Sequence, residues 1–139
     1  MEKIVVGVDG SDESWAAFDE ALTLASQTGA TLTAVRAEHL STWSTLGIGS
    51  TLGDVYEADE RIRGELIEEA QRRGETLGLT IDVATPKGRP AEELIGIAEE
   101  TGADLVVVGH RGRGGATSWL GSVTQEVVHR APCSVLVVR

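Results

Sequence analysis

Between the apolar run Leu105-Val106-Val107-Val108 and a stretch with helical spacing, Val123 to Val128, lies Gly109-His110-Arg111-Gly112-Arg113-Gly114-Gly115-Ala116-Thr117-Ser118-Trp119-Leu120-Gly121-Ser122. Glycines leave backbone N–H groups uncrowded. A helix N-terminus behind them adds unpaired donors and a positive dipole end, the chemistry that holds a phosphate. Arg111 and Arg113 place cationic donors inside the loop. The stretch reads as an anion cradle carrying the chain from a buried strand into a helix.

Known phosphate motifs do not fit it. The Gly-x-x-x-x-Gly-Lys-Ser/Thr loop needs a lysine, and the chain has only Lys3 and Lys87, neither in that context. The dinucleotide fingerprint fails because Gly112-x-Gly114 meets Thr117, and Gly47-x-Gly49 meets Leu52, where a small residue is required. An acidic receiver pocket around Asp9 lacks an Asp at the end of strand three and a Lys at the end of strand five. Nor is a catalytic set apparent: His39, His110 and His129 have no nucleophile or carboxylate at a recognisable spacing, and Ser118 and Ser122 lack a base. An efficient enzyme is not expected.

Composition narrows the partners. The chain has 139 residues, 41% of them hydrophobic, which suits one domain over 1–139 with one core. Ten Arg and two Lys face 22 acids, and a formal charge of −10 opposes a nucleic acid or an anionic membrane as main partner. The anion must be small and locally held. The lone Cys133 is read as a small core residue in a reducing compartment. Lys3 leads directly into Ile4-Val5-Val6-Gly7-Val8 without a leader-like apolar region, and no run approaches the roughly 20 residues that span a bilayer. A cytoplasmic protein is expected.

The elements that must position the cradle follow from periodicity. Lys3 to Asp9 is strand one, closed by the turn cluster Asp9-Gly10-Ser11-Asp12. Ser11 or Asp12 caps a helix whose Ala17, Phe18, Ala21, Leu24 and Ala25 share a face, and Gly29 ends it. Thr31 to Ala37 is strand two. Glu38 to Asp54 is a long Ser/Thr/Gly-rich connection. Helix two runs from Gly53 or Asp54 to Leu77, with Val55, Ala58, Ile62, Leu66, Ala70 and Leu77 as its stripe and Gly64 and Gly74 as weak points. Thr80 to Thr85 is strand three, at a sheet edge because it is less apolar. Pro90 opens helix three, which ends at Gly102. Asp104 to Val108 is strand four, buried on both faces. Ser122 caps helix four, with Val123, Val127 and Val128 as its stripe, and Ser134 to Val138 is strand five.

Such alternation implies an α/β fold of parallel βαβ units with right-handed crossovers. Strand five is too apolar for an open edge and is expected to pair with its own copy in a homodimer. Asp9 and the Gly109 loop both sit at carboxyl ends of strands, where parallel sheets bind ligands.

Four pieces, in order and at the right separations, resemble the universal stress protein family. They are Ile4-Val5-Val6-Gly7-Val8-Asp9-Gly10-Ser11, the Gly88-Arg89-Pro90 turn, Ala103 to Gly112, and Gly121-Ser122-Val123 through Ala131-Pro132-Cys133 to Val138. The resemblance implies a single-domain Rossmann-like open parallel sheet of five strands, order 3-2-1-4-5, with helices on both faces and a dimer through the last strand. It also implies an ATP-binding branch with a Gly-x-x-Gly-x9-Gly-Ser/Thr pattern. Here Gly109-x-x-Gly112 is followed by eight residues before Gly121-Ser122, so the loop is one residue shorter than that pattern.

Carried over position by position, the resemblance places the adenine amino group at Asp9, beside Val8, and the rest of the base against the backbone at Ala37. Val108 and Gly109 would approach the ribose and phosphates, Gly112 and Gly121 would admit the phosphates, and Ser122 with the Val123 N–H would bind phosphate oxygens. Arg111 and Arg113 attract phosphate, whereas Asp12 and Glu13 repel it. Mg2+ would be held through the phosphates. Trp43 and Trp119 fall in loops that could border the pocket. The function implied is a stress-response, ATP-binding regulatory homodimer with at most slow hydrolysis. The shortened loop favours the alternative, a non-nucleotide member that acts as a protein-interaction dimer or takes another small ligand in the same crevice.

Overall fold

Short runs rich in β-branched residues, the central ones apolar on both faces, line up in parallel with helices on either side. A computed structural model describes residues 1–38, 52–111 and 120–139. The strands are β1 (Lys3–Gly7), β2 (Thr31–Val35), β3 (Asp82–Ala84), β4 (Leu105–Gly109) and β5 (Ser134–Val138). The helices are α1 (Asp12–Thr28), α2 (Leu52–Thr76), α3 (Pro90–Thr101) and α4 (Ser122–Arg130). Sheet order is β3-β2-β1-β4-β5, with every pairing parallel. β3 lies at one edge, as its weaker hydrophobicity predicts, and β5 at the other.

Side-chain alternation divides the core in two. Ile4, Val6, Leu32, Ala34, Leu105 and Val107 face α1 and α2, whose Phe18, Ala21, Ala25, Leu66 and Ala70 cover them. Val5, Val35, Val106 and Val108 face Ala91, Leu94, Ile95 and Ala98 of α3 and Val127 of α4. The chain thus winds outward from β1 along one face and returns to β4 and β5 along the other. The winding reverses between β1 and β4, the point at which open parallel sheets form a ligand crevice outside the carboxyl ends of their strands.

Local signals set the boundaries. Ser11 caps α1, its side chain accepting from the Ser14 N–H at 3.2 Å. Gly29 and Gly102 end α1 and α3 in the left-handed conformation. β1 and β2 end sooner than their apolar runs, because past Gly7 and Val35 the chain leaves the full ladder; Val8 still donates to the Val35 carbonyl at 2.9 Å. β4 extends one residue further, to Gly109, since β5 pairs with it there.

Three expectations about the helices are corrected. Gly121, in extended conformation, is the N-cap of α4 and Ser122 its first residue, with no side-chain cap bond. The α4 face that packs inward is Thr124 and Val127, while Val123 and Val128 are exposed. α2 ends at Thr76, so Leu77 lies past the helix and exposed rather than on its stripe. Gly74 is a packing position: a Cβ there would stand 2.5 Å from the Ile81 side chain and 2.8 Å from the Leu79 carbonyl oxygen. Cys133 is a half-buried free thiol beside the α3 face of the core, and burial pushes its pKa up. Among the described residues, no helix is long and apolar enough to cross a membrane.

Candidate functional site

The crevice is built from three backbone ends. Past β1 the chain turns through Asp9 and Gly10, the latter at positive φ. Asp9 Oδ1 accepts the Ser11 N–H at 2.8 Å, and the Asp9 N–H donates to Ser14 Oγ at 3.3 Å. One carboxylate oxygen therefore secures the turn into α1. Val8 is buried beneath the turn and Asp9 is exposed above it.

The second end is that of β2. Arg36 N–H donates to the Ala84 carbonyl and Glu38 N–H to the Pro86 carbonyl, both on the β3 side. Val35, one residue before, presents its carbonyl to Val8 on the β1 side. Alternation along an extended chain then turns the Ala37 amide and carbonyl toward β1, into the space beyond its end. The position that the family resemblance gives to the base thus directs backbone groups to the Asp9 side of the sheet.

The third end joins β4 to α4. His110 N–H donates to the Val138 carbonyl at 2.7 Å, and Gly121 N–H donates to the His110 carbonyl at 3.0 Å. The described residues on either side of the glycine-rich loop are thus tied together through His110 and Gly121. Two further bonds hold α4 in place: Thr124 Oγ1 donates to the Gly109 carbonyl at 2.7 Å, and Gln125 Nε2 donates to the Leu120 carbonyl at 3.1 Å. The first intrahelical amide is that of Gln125, which donates to Gly121. Ser122, Val123 and Thr124 therefore present first-turn N–H groups that the helix itself does not use.

Charge separates the helix ends around the crevice. The first turns of α1 and α3 carry Asp12, Glu13, Glu92 and Glu93, whereas that of α4 carries no acid. An anion is accordingly disfavoured at α1 and accepted at α4. Arg111 Nη2 stands 3.8 Å from Glu13 Oε1, each side chain about one-third exposed. Glu13 also defines how close the elements come: a Cβ on Gly109 would lie 2.8 Å from its carbonyl oxygen.

The structure brings Val8, Asp9, Ala37, Val108, Gly109, Arg111, Gly121, Ser122 and Val123 to the carboxyl edge of the sheet. Gly112, Arg113, Trp43, Trp119 and His39 lie outside the described residues. Sequence reading missed Thr124, whose hydroxyl anchors the site. It also missed a cluster in which Arg36 Nη2 meets Asp59 Oδ1 at 3.1 Å and Arg63 Nη1 meets Glu38 Oε1 at 3.3 Å. A weak signal existed: Leu32, Ala34, Arg36 and Glu38 share a face, so the last two continue a buried row with charge.

The universal stress protein family model matches residues 1–139. The chain belongs to the universal stress protein family. It is 33% identical over 150 aligned positions to universal stress protein YxiE of Bacillus subtilis, covering 100% of this chain and 99% of that one. A universal stress protein solved in complex with cAMP is 32% identical, with a TM-score of 0.76 over 99% of this chain and 97% of that chain. Universal stress protein UspA from Lactobacillus plantarum is 26% identical, with a TM-score of 0.84 over 99% of this chain and 97% of its own. The α/β fold of five parallel strands, order 3-2-1-4-5, is the fold of these proteins.

Proposed function

We propose that this universal stress protein is an adenine-nucleotide-binding regulatory protein whose ligand is ATP, held in the crevice between the carboxyl ends of β1, β2 and β4. The observation that carries this reading is the polarity of the crevice. A carboxylate and outward-turned backbone groups stand at the β1 and β2 ends, suited to the donor and acceptor edge of a base. Acid-free first-turn amides stand at α4, suited to phosphate. The relative solved with cAMP supports an adenine ligand in this fold at comparable sequence identity.

In this reading Asp9 accepts from the adenine amino group beside Val8, and the Ala37 backbone completes the base edge. Val108 and Gly109 line the ribose. Gly112, Gly121, Ser122 and the Val123 N–H receive phosphate, with Arg111 and Arg113 as cationic partners and Mg2+ carried on the phosphates. Hydrolysis is slow at most, and binding serves to alter loop order and the surface offered to a partner.

The protein acts as a homodimer through β5. That strand ends the sheet, and its Val135, Leu136, Val137 and Val138 are half-buried apolar residues at an edge with backbone groups to pair. We place it in the cytoplasm, in keeping with the free Cys133.

Purification without added nucleotide, denaturation and mass spectrometry of the released small molecules tests the ligand, followed by calorimetric titration with Mg-ATP. Co-purified adenine nucleotide or saturable binding is expected. Neither carried nucleotide nor binding at millimolar ATP would favour the alternative, a protein-interaction dimer or a different small ligand. Light scattering at low concentration tests the dimer, which should give twice the chain mass.

A further inference from the structure

Four charged side chains meet behind the base edge of the crevice, where an interior should be apolar. Glu38 has a side chain only 3% exposed, and Asp59 and Arg36 are nearly as buried, at 11% and 13%. Arg36 reaches Asp59, and Glu38 receives Arg63. Asp59 and Arg63 are four residues apart on α2, hence on one face of it. Ala37 lies between Arg36 and Glu38, so the residue whose backbone turns toward Asp9 is tied on both sides to a single helix. The Glu38 backbone is fixed as well, donating to the Pro86 carbonyl and accepting from the Gly88 N–H at 3.0 Å.

Stability alone is a poor explanation of this cluster. Ions taken out of water lose hydration that a partner only partly replaces, and well-packed apolar side chains do as well or better. Here the arrangement is not even complete. Arg36 Nη1 is buried without a hydrogen-bond partner among the described residues, 3.7 Å from Glu38 Oε1. What an ionic cluster supplies better than an apolar one is a single geometry, because displaced charges would be left unpaired.

We propose that Arg36 and Glu38 are positioning residues for the base edge, and that through Asp59 and Arg63 they couple occupation of that edge to seating of the first half of α2. The proposal rests on the nucleotide reading above. The second half of α2 is held independently: Arg73 pairs with Asp19 on α1 at 2.8 Å and lies over the Trp15 ring, 4.6 Å from its centroid. Ligand binding at Ala37 should therefore be felt near Asp59 and Arg63, with the far end of the helix unmoved.

The test compares Asp59→Ala, Asp59→Asn and the distal control Asp19→Ala in the full chain. Calorimetry reads Mg-ATP and, by competition, Mg-tripolyphosphate, which has no base; amide hydrogen exchange reads residues 36–38 in the nucleotide-free protein. Asp59→Ala should weaken ATP about tenfold, leave tripolyphosphate within about twofold and speed exchange at Ala37 and Glu38. Asp59→Asn, which keeps an acceptor for Arg36, should recover most of the loss, and Asp19→Ala should change none of these readouts. If Asp59→Ala does not fold, Arg63→Met removes the more exposed partner of Glu38 and carries the same expectation. ATP and tripolyphosphate weakening together, ATP affinity staying within about twofold, or unchanged exchange over 36–38 would each overturn the proposal while the nucleotide reading stands. A wild-type protein that binds neither ligand would overturn both.

Discussion

Thr124 on α4 donates its hydroxyl to the Gly109 carbonyl on β4 at 2.7 Å, in a buried position. This bond fixes the first turn of α4 against the end of β4, the strand that leads into the glycine-rich loop. Thr124→Val keeps the shape and removes the donor, which should cost about 1–2 kcal/mol in denaturant unfolding. Thr124→Ser should recover most of that. A Thr124→Val variant as stable as wild type, with the loss confined to Thr124→Ser, would place the cost in the methyl group and not in the hydrogen bond.

Gly109 is required by proximity rather than by its backbone. A Cβ would stand 2.8 Å from the Glu13 carbonyl oxygen and 2.9 Å from its carbonyl carbon, atoms that move only if the first turn of α1 moves. Gly109→Ala should destabilise by about 1–3 kcal/mol. Gly96 is the matching control, since it lies within α3 with nothing inside 4 Å of its Cβ position. Gly96→Ala should stabilise by about 0.5–1 kcal/mol through helix propensity. Urea midpoints moving in the same direction would contradict this account of the two glycines.

Glu13 has two roles that oppose one another. It sits in the first turn of α1, where a negative charge favours the helix, and 3.8 Å from Arg111, a residue assigned to phosphate. Glu13→Gln should lower stability by about 0.3–1 kcal/mol and raise Mg-ATP affinity a few-fold, more strongly at low salt. An affinity that falls, or a gain insensitive to salt, would argue against phosphate near Arg111.

At the opposite end of the sheet, Asp104 Oδ2 accepts the backbone N–H groups of Glu2 and Lys3 at 2.7 and 2.9 Å. These bonds hold its pKa below the ordinary aspartate range, the Glu2 amide contributing most and the Lys3 amide next. A lowered folded-state pKa means that the contribution is complete above about pH 4 and fades as pH falls through the folded value. The difference in urea midpoint between wild type and Asp104→Asn should therefore be largest near neutrality and close in acid. Nucleotide affinity should not change, because Asp104 lies at the amino ends of β1 and β4. A gap that widens in acid would refute the assignment.

Much of the architecture was legible because its determinants are local. The β-branched runs mark the strands, Ser11 marks the start of α1, and Gly29 and Gly102 mark helix ends that need a left-handed residue. The less apolar Asp82-Val83-Ala84 correctly signals an edge. Misread positions depend on partners distant in sequence. Glu38 looks like the start of a solvated loop but is buried, because an arginine 25 residues away reaches it. Thr124 looks polar yet packs inward since its hydroxyl has the Gly109 carbonyl to bond, while Val123 and Val128 remain exposed on the outer side of α4. The anchors of the glycine loop follow from the same logic: the His110 carbonyl accepting Gly121 is a contact that no spacing rule supplies.

The most direct test of the crevice as an adenine-nucleotide site is an amide NMR titration of the labelled protein with Mg-ATP. Shifts should concentrate at Val8, Asp9, Ala37, Gly109, Arg111 and Gly121 to Val123. They should be lost in Gly121→Val and weakened in Asp9→Ala, two variants expected to fold, since Gly121 has an extended backbone that any residue adopts. Shifts centred on another surface, or none at saturating ATP, would contradict the account.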